Sequence, residues 1–201
     1  MSVLFCDVTG STALGERLDP ESFRQVMARY FGAARAVIEQ HGGTVGKFIG
    51  DAVMAVFGVP VLHEDDALRA VRAAAGLREQ IAVLNTGLEA DFGASVSVRT
   101  GVNTGPVVTG TAERLATGDA VNLAARLEQA AAPGEIVIGP QTWALVRGAA
   151  TAEPLAPLAL KGKSQPVAAY RLLQVRGDVG PAGPRWRGAA GGAGQPAADA
   201  R

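Results

Sequence analysis

Apolar and polar positions along the chain change period several times, and each change predicts an element. Residues 2–7, SVLFCD, form an apolar, β-prone run that predicts a strand ending at Asp7. The small-residue loop VTGST follows and can begin a helix. From Asp19 the period lengthens: Phe23, Val26, Met27, Tyr30, Phe31, Ala34, Val37 and Ile38 recur at three-four spacing. That spacing predicts an amphipathic helix with Asp19 as N-cap, Pro20 at the first helical position and Gly42 as its stop.

Residues 46–58, GKFIGDAVMAVFG, then read as two short apolar runs joined at Gly50-Asp51, predicting a hairpin over 44–57. EDDALRAVRAAAGLREQIAVLN, residues 64–85, predicts a second long helix, acidic at the end where the macrodipole favours anions. SVSVRTGVNTGPVVTG predicts a strand, a turn at Asn103 to Pro106 and a short continuation. GDAVNLAARLEQAAAPG predicts a third helix stopped by Pro133 and Gly134, EIVIG a strand, and PQTWALVRG a short helix. The last patterned stretch, LALKGKSQPVAAYRLL, is a loop bearing Lys161 and Lys163 and a closing strand. Strands interleaved with helices, hairpins included, imply one sheet covered largely by helices.

Composition changes the picture mainly at the C-terminus. Of the last 25 residues 17 are Gly, Pro or Ala, so residues 176–201 are expected to be a disordered tail, Trp186 with them, behind a domain of residues 1–175. Nineteen acidic and nineteen basic side chains cancel, which leaves no overall basic field for nucleic acid or an anionic membrane. Cys6 is the single cysteine; it can make no internal disulfide, reads as a small core residue and fits a cytoplasmic protein. No stretch approaches the roughly 20 consecutive apolar residues of a membrane helix, and none is expected.

Candidate chemistry gathers around the charges that the pattern leaves unexplained. Asp7 ends the first strand and Asp51 sits at the hairpin tip, so two carboxylates at neighbouring strand ends would suit a hard cation that takes one or two carboxylates plus phosphate and water. Either alone has an ordinary reading, Asp51 as turn chemistry and Asp7 as a helix cap. Asn122 and Arg126, four apart, share one face of the third helix while Val121, Ala124 and Leu127 point elsewhere. Alone, such a pair is also an ordinary solvated surface. Lys47, Arg99 and Lys161 supply cations suited to a polyphosphate.

Five ordered motifs, FCDVTGST, GKFIGDAVMAVFG, VRTGVNTGPVV, TGDAVNLAARLE and LALKGK...AAY, together resemble the class III adenylate and guanylate cyclase catalytic domain over about residues 2–173. The resemblance implies an α+β fold, a ferredoxin-like α/β sandwich with a mainly antiparallel sheet. It makes Asp7 and Asp51 the ligands of two Mg²⁺ or Mn²⁺ ions and Lys47 the purine-reading lysine. Arg99 would touch the triphosphate, Asn122 orient the ribose, Arg126 stabilise the transition state and Lys161 hold the distal phosphates. The implied activity is conversion of ATP, in preference to GTP, into 3′,5′-cyclic AMP and pyrophosphate, at sites formed between two copies of the domain.

Two departures qualify what is implied. Leu115, seven residues before Asn122, stands where family adenylyl cyclases carry Asp or Thr to read the purine, and leucine has no side-chain hydrogen bond to offer. Residues 105–115 are also a few residues shorter than the family's dimerisation arm, which points to a weak homodimer, while a heterodimer with another cyclase-like chain would supply the base contact that Leu115 lacks. A second reading therefore stands beside the enzyme: a nucleotide-binding regulatory domain with little catalysis.

Overall fold

The computed structural model describes residues 1–108, 118–159 and 165–176. Its first half is the pattern β1 (Ser2–Thr9), α1 (Ser11–Arg17), α2 (Pro20–Gln40), β2 (Thr44–Ile49), β3 (Ala52–Phe57), α3 (Asp66–Phe92) and β4 (Ser97–Thr104). These strands lie in the order β2-β3-β1-β4 and are antiparallel throughout. Two helical crossovers that each skip one strand give the ferredoxin-like arrangement. The second half adds α4 (Asp119–Ala130), β5 (Ile136–Ile138), α5 (Pro140–Val146), β6 (Ala150–Pro154) and β7 (Tyr170–Val175). The seven-stranded sheet runs β2-β3-β1-β4-β5-β7-β6, with β4 and β5 its parallel pair.

Strand alternation assigns the faces. Leu4, Cys6 and Val8 of β1 enter the main core with Val53, Ala55 and Phe57 of β3 and the buried stripes of α2 and α3. Val3 and Phe5 point the other way, packing with Met54, Val56 and Ala124 of α4. Asp7 shares the parity of Val3 and Phe5, so it lies on the α4 face. In α2 the buried residues are Val26, Met27, Tyr30, Ala34, Val37 and Ile38, with Phe23 and Phe31 packed at the margin. The Asp19 side chain accepts from the backbone N–H groups of Glu21 and Ser22, the capping its position predicts.

The hairpin turn is two residues long, since Ile49 pairs with Ala52, and Gly50 takes a φ of 63° that an L side chain resists. Elsewhere the boundaries differ from expectation. β1 continues past Asp7 to Thr9, because Val8 pairs with Val98 and Thr9 with Ser97. Asn103 and Thr104 belong to β4 rather than to a turn, paired with Val3 and Ser2. Helix α3 runs past Asn85 to Phe92, where Gly93 at φ 58° ends it. Asn85 does not stop the helix; its amide bonds the N–H and C=O of Val96 in both directions, pinning the α3–β4 connection.

β6 was not expected from the sequence. Its residues, ATAEP, are small or polar, and pairing with β7 and the Arg171–Glu153 ion pair hold it at the sheet edge. β7 is antiparallel to β5, β5 parallel to β4 and β4 antiparallel to β1, so β7 runs parallel to β1. Cys6 pairs with Thr100, Thr100 with Ile136, and Val137 with Arg171. By that register Leu172 is level with Cys6, and Val175 with Thr9. No helix among the described residues is long and apolar enough to cross a membrane. The expected tail, apart from Arg176, lies outside the described residues.

Candidate active site

The pairing of Asp7 with Ala52 brings Asp51, at the hairpin tip, beside the first strand. Burial pushes the Asp7 carboxyl above its ordinary range; the hydrogen bond from Arg99 opposes this, and the Asp51 charge adds to the rise. Two carboxylates this close also favour a shared cation. Ser11, at the start of α1, donates its hydroxyl to Asp51 Oδ2 and orients that carboxylate. Asp7 is no helix cap: the N-cap of α1 is Gly10, in a left-handed conformation.

Among the described residues, no three His, Cys, Asp or Glu side chains cluster to hold a metal. Two carboxylates with open coordination fit Mg²⁺ or Mn²⁺ carried partly by substrate phosphates and water, and do not fit a structural metal. Beside Asp51 an apolar cavity of about 680 Å³ opens between α1, α2 and the hairpin tip, walled by Phe23, Met27 and Phe31.

Arg99 and Glu128 complete the cluster. Arg99 faces Asp7 across the β1–β4 ladder, and its Nη2 donates to Asp7 Oδ2 at 2.9 Å. Its Nε lies 2.5 Å from Glu128 Oε1 on α4, an ion pair by distance without the alignment of a hydrogen bond. Desolvation works against the Arg99 charge, but its hydrogen bond to Asp7 and the negative charges of Glu128 and Asp7 outweigh that and hold its pKa above the ordinary value. The Glu128 side chain is only 7% exposed. Burial pushes its pKa up to about 7, with the Arg99 charge opposing.

Glu128 was missed in reading the sequence, although one signal was there. It falls on the sheet-facing stripe of α4 with Ala120, Ala124 and Leu127, where the pattern calls for an apolar residue. A glycine allows the approach. A Cβ on Gly101 of β4 would meet Ala124 O and Glu128 N, each at 2.3 Å, so α4 lies directly on the strand.

The same packing turns Asn122 and Arg126 outward. Each stands two residues from Ala124, about 200° round a helix of 3.6 residues per turn. Asn122 is exposed and Arg126 half-buried. Lys47 is exposed on edge strand β2; it pairs with Met54, which places it on the α4 face of the sheet. One chain therefore gathers Asp7, Asp51, Arg99 and Glu128, and displays Asn122 and Arg126 away from them. Leu115 and Lys161 lie outside the described residues.

Comparison with known proteins gives this arrangement relatives. The pattern of the adenylate and guanylate cyclase catalytic domain matches residues 1–174. Adenylate cyclase 1 of Rhizobium meliloti is 33% identical over 134 residues, 64% of this chain and 20% of that protein. The chain thus spans well under half the length of the curated relatives it matches first, 40% in the case of an uncharacterized protein of Mycobacterium bovis that is 37% identical over 175 residues. Among solved structures, the adenylyl cyclase CyaB from P. aeruginosa superposes with a TM-score of 0.81 at 33% identity, covering 89% of this chain and 96% of that one. With its ferredoxin-like sheet, its α4 face and a match over residues 1–174, the chain belongs to the class III adenylate and guanylate cyclase catalytic domain family.

Proposed function

We propose that this domain converts ATP into 3′,5′-cyclic AMP and pyrophosphate, at sites each shared by two copies of the chain. The observation that carries the reading is the division of one chain's chemistry between two directions. Asp7 and Asp51 converge at one end of the sheet, while Asn122 and Arg126 leave the far side of α4. Facing a second copy, each chain has something the other's site lacks.

Divalent cations held by Asp7 and Asp51 would lower the pKa of the ribose 3′-hydroxyl and neutralise the triphosphate. Arg126 would bring a planar fork of donors to oxygens whose charge changes in the transition state, where preorganised electrostatics accelerates a reaction. Asn122 would orient the ribose and Arg99 and Lys161 would bind phosphate. Lys47 and Leu115 would meet the purine, Lys47 alone offering a polar group. ATP is preferred because the Rhizobium relative and CyaB are named as adenylate cyclases. The same fold takes the other base: a guanylate cyclase domain from Catenaria anguillulae, solved with GTP, superposes with a TM-score of 0.79 at 28% identity.

The test is subunit mixing. Alone, Asp51→Asn should abolish cyclic AMP formation and Arg126→Ala should cut it by about 10² to 10³, measured by mass spectrometry with ATP and GTP in Mg²⁺ and in Mn²⁺. Mixed one to one, random pairing restores one intact site in half of the dimers, about a quarter of wild-type turnover. Activity in the Asp51→Asn protein alone would refute the metal reading. No recovery on mixing would refute the shared site. Saturable nucleotide binding by the wild type without any cyclic product would favour the regulatory reading that Leu115 motivates.

A further inference from the structure

We propose that Arg99 gates the entry of a divalent cation at Asp7, and that Glu128 is the positioning residue that draws it aside; the inference rests on the metal reading of Asp7 and Asp51 above. Arg99 shares one guanidinium between two acids on different elements, Asp7 at 2.9 Å on β1 and Glu128 at 2.5 Å on α4. A cation on the Asp7 carboxylate would stand close to the Arg99 charge and compete for the same oxygen, so the two positive groups exclude each other. Arg99 must give way, and Glu128 is where it can go without losing its counter-ion.

Glu128 is built for this use. It is buried on the inner side of α4, fixed to β4 by the close approach at Gly101, and therefore cannot follow Arg99 outward. Asp7, 16% exposed, is the open end of the pair. Without Glu128 the guanidinium would have Asp7 as its remaining acid in this pair and would favour the two-pronged geometry that arginine forms with a lone carboxylate. The cation would then meet a stronger competitor.

The experiment measures binding of Mn²⁺ alone, without nucleotide, from the free-ion EPR signal at pH 8, after a melting curve has shown each variant folded. Arg99→Gln should bind Mn²⁺ about tenfold more tightly than wild type, the effect of removing an adjacent opposite charge from a carboxylate. Glu128→Gln and Glu128→Asp should both bind more weakly, by about three- to tenfold, because neither holds Arg99 in place. The Asp variant separates position from charge. If Glu128→Asp binds as wild type does while Glu128→Gln weakens, charge alone is acting and the positioning role is overturned. Unchanged or weaker binding in Arg99→Gln overturns the gate, and that arm stands even where a Glu128 variant fails to fold. If neither wild type nor Arg99→Gln takes up Mn²⁺, the metal reading falls with the gate. Uptake that Asp51→Asn abolishes but Arg99→Gln leaves unchanged keeps the metal reading and overturns the gate alone.

Discussion

Gly101→Ala tests the packing that brings Glu128 to Arg99. The added Cβ would meet Ala124 O at 2.3 Å, Glu128 N at 2.3 Å and Glu128 Cα at 2.9 Å, all backbone atoms of α4. No side-chain rotation relieves such contacts. Reaching an ordinary separation of about 3.5 Å requires the helix to retreat by about 1 Å, which loosens Leu123, Ala124 and Leu127 in their clusters and stretches the Arg99–Glu128 pair. Overpacking costs about 1–3 kcal/mol, and backbone against backbone belongs at the upper end. For a domain of this size a loss of about 3 kcal/mol lowers Tm by about 6–12 °C. Thermal unfolding followed by circular dichroism reads it directly. The control is Gly87→Ala on the exposed side of α3, where a Cβ meets nothing within 4 Å and a better helix former should add about 0.5–1 kcal/mol. Gly101→Ala melting within about 2 °C of wild type would refute the reasoning, since the contact would then be soft.

Other perturbations have equally definite outcomes. The Glu128 pKa stands at about 7 in the fold against an ordinary 4.5, so the native state holds this proton more tightly than the unfolded chain and loses relative stability as pH rises from 4.5 to 7. Glu128→Gln cannot titrate there, so denaturation curves should show it gaining on wild type over that window, by at most about 3 kcal/mol, and holding the gain above it; a constant difference would contradict the burial argument. Arg126→Ala should cut turnover by about 10² to 10³ with a smaller change in KM, as for loss of a transition-state donor, and a pure KM effect would remove it from that role. Asp19→Ala, which deletes the cap of α2, should cost about 1 kcal/mol in urea unfolding without altering nucleotide binding.

The elements legible in the sequence were those whose apolar period is strong. The α2 stripe from Phe23 to Ile38 and the Gly50-Asp51 turn stand where the pattern puts them. Asp7 and Asp51 could be paired from strand order because a hairpin beside β1 leaves few registers that keep Val53 and Phe57 buried. What escaped is set by tertiary contacts. ATAEP becomes a strand only because β7 is there to pair with it. Asn85 resembles a helix stop until Val96 is seen opposite its amide. Glu128 interrupts the apolar stripe of α4, but only Gly101 shows how closely that side is pressed to the sheet. Arg99 stands out in the sequence as a candidate cation, but its sharing between Asp7 and Glu128 depends on two elements far apart in sequence.

The course of β7 bears on how such a domain can be wired to others. Because β7 runs parallel to β1 and Val175 is level with Thr9, the chain leaves the sheet at the end that holds the carboxylates, three strand spacings, or about 15 Å, to the side. The first residue of β1 lies at the opposite end. A module joined after residue 176 would thus pull on the chemical end of the sheet, whereas one joined before residue 1 would act on the far end, through the length of β1.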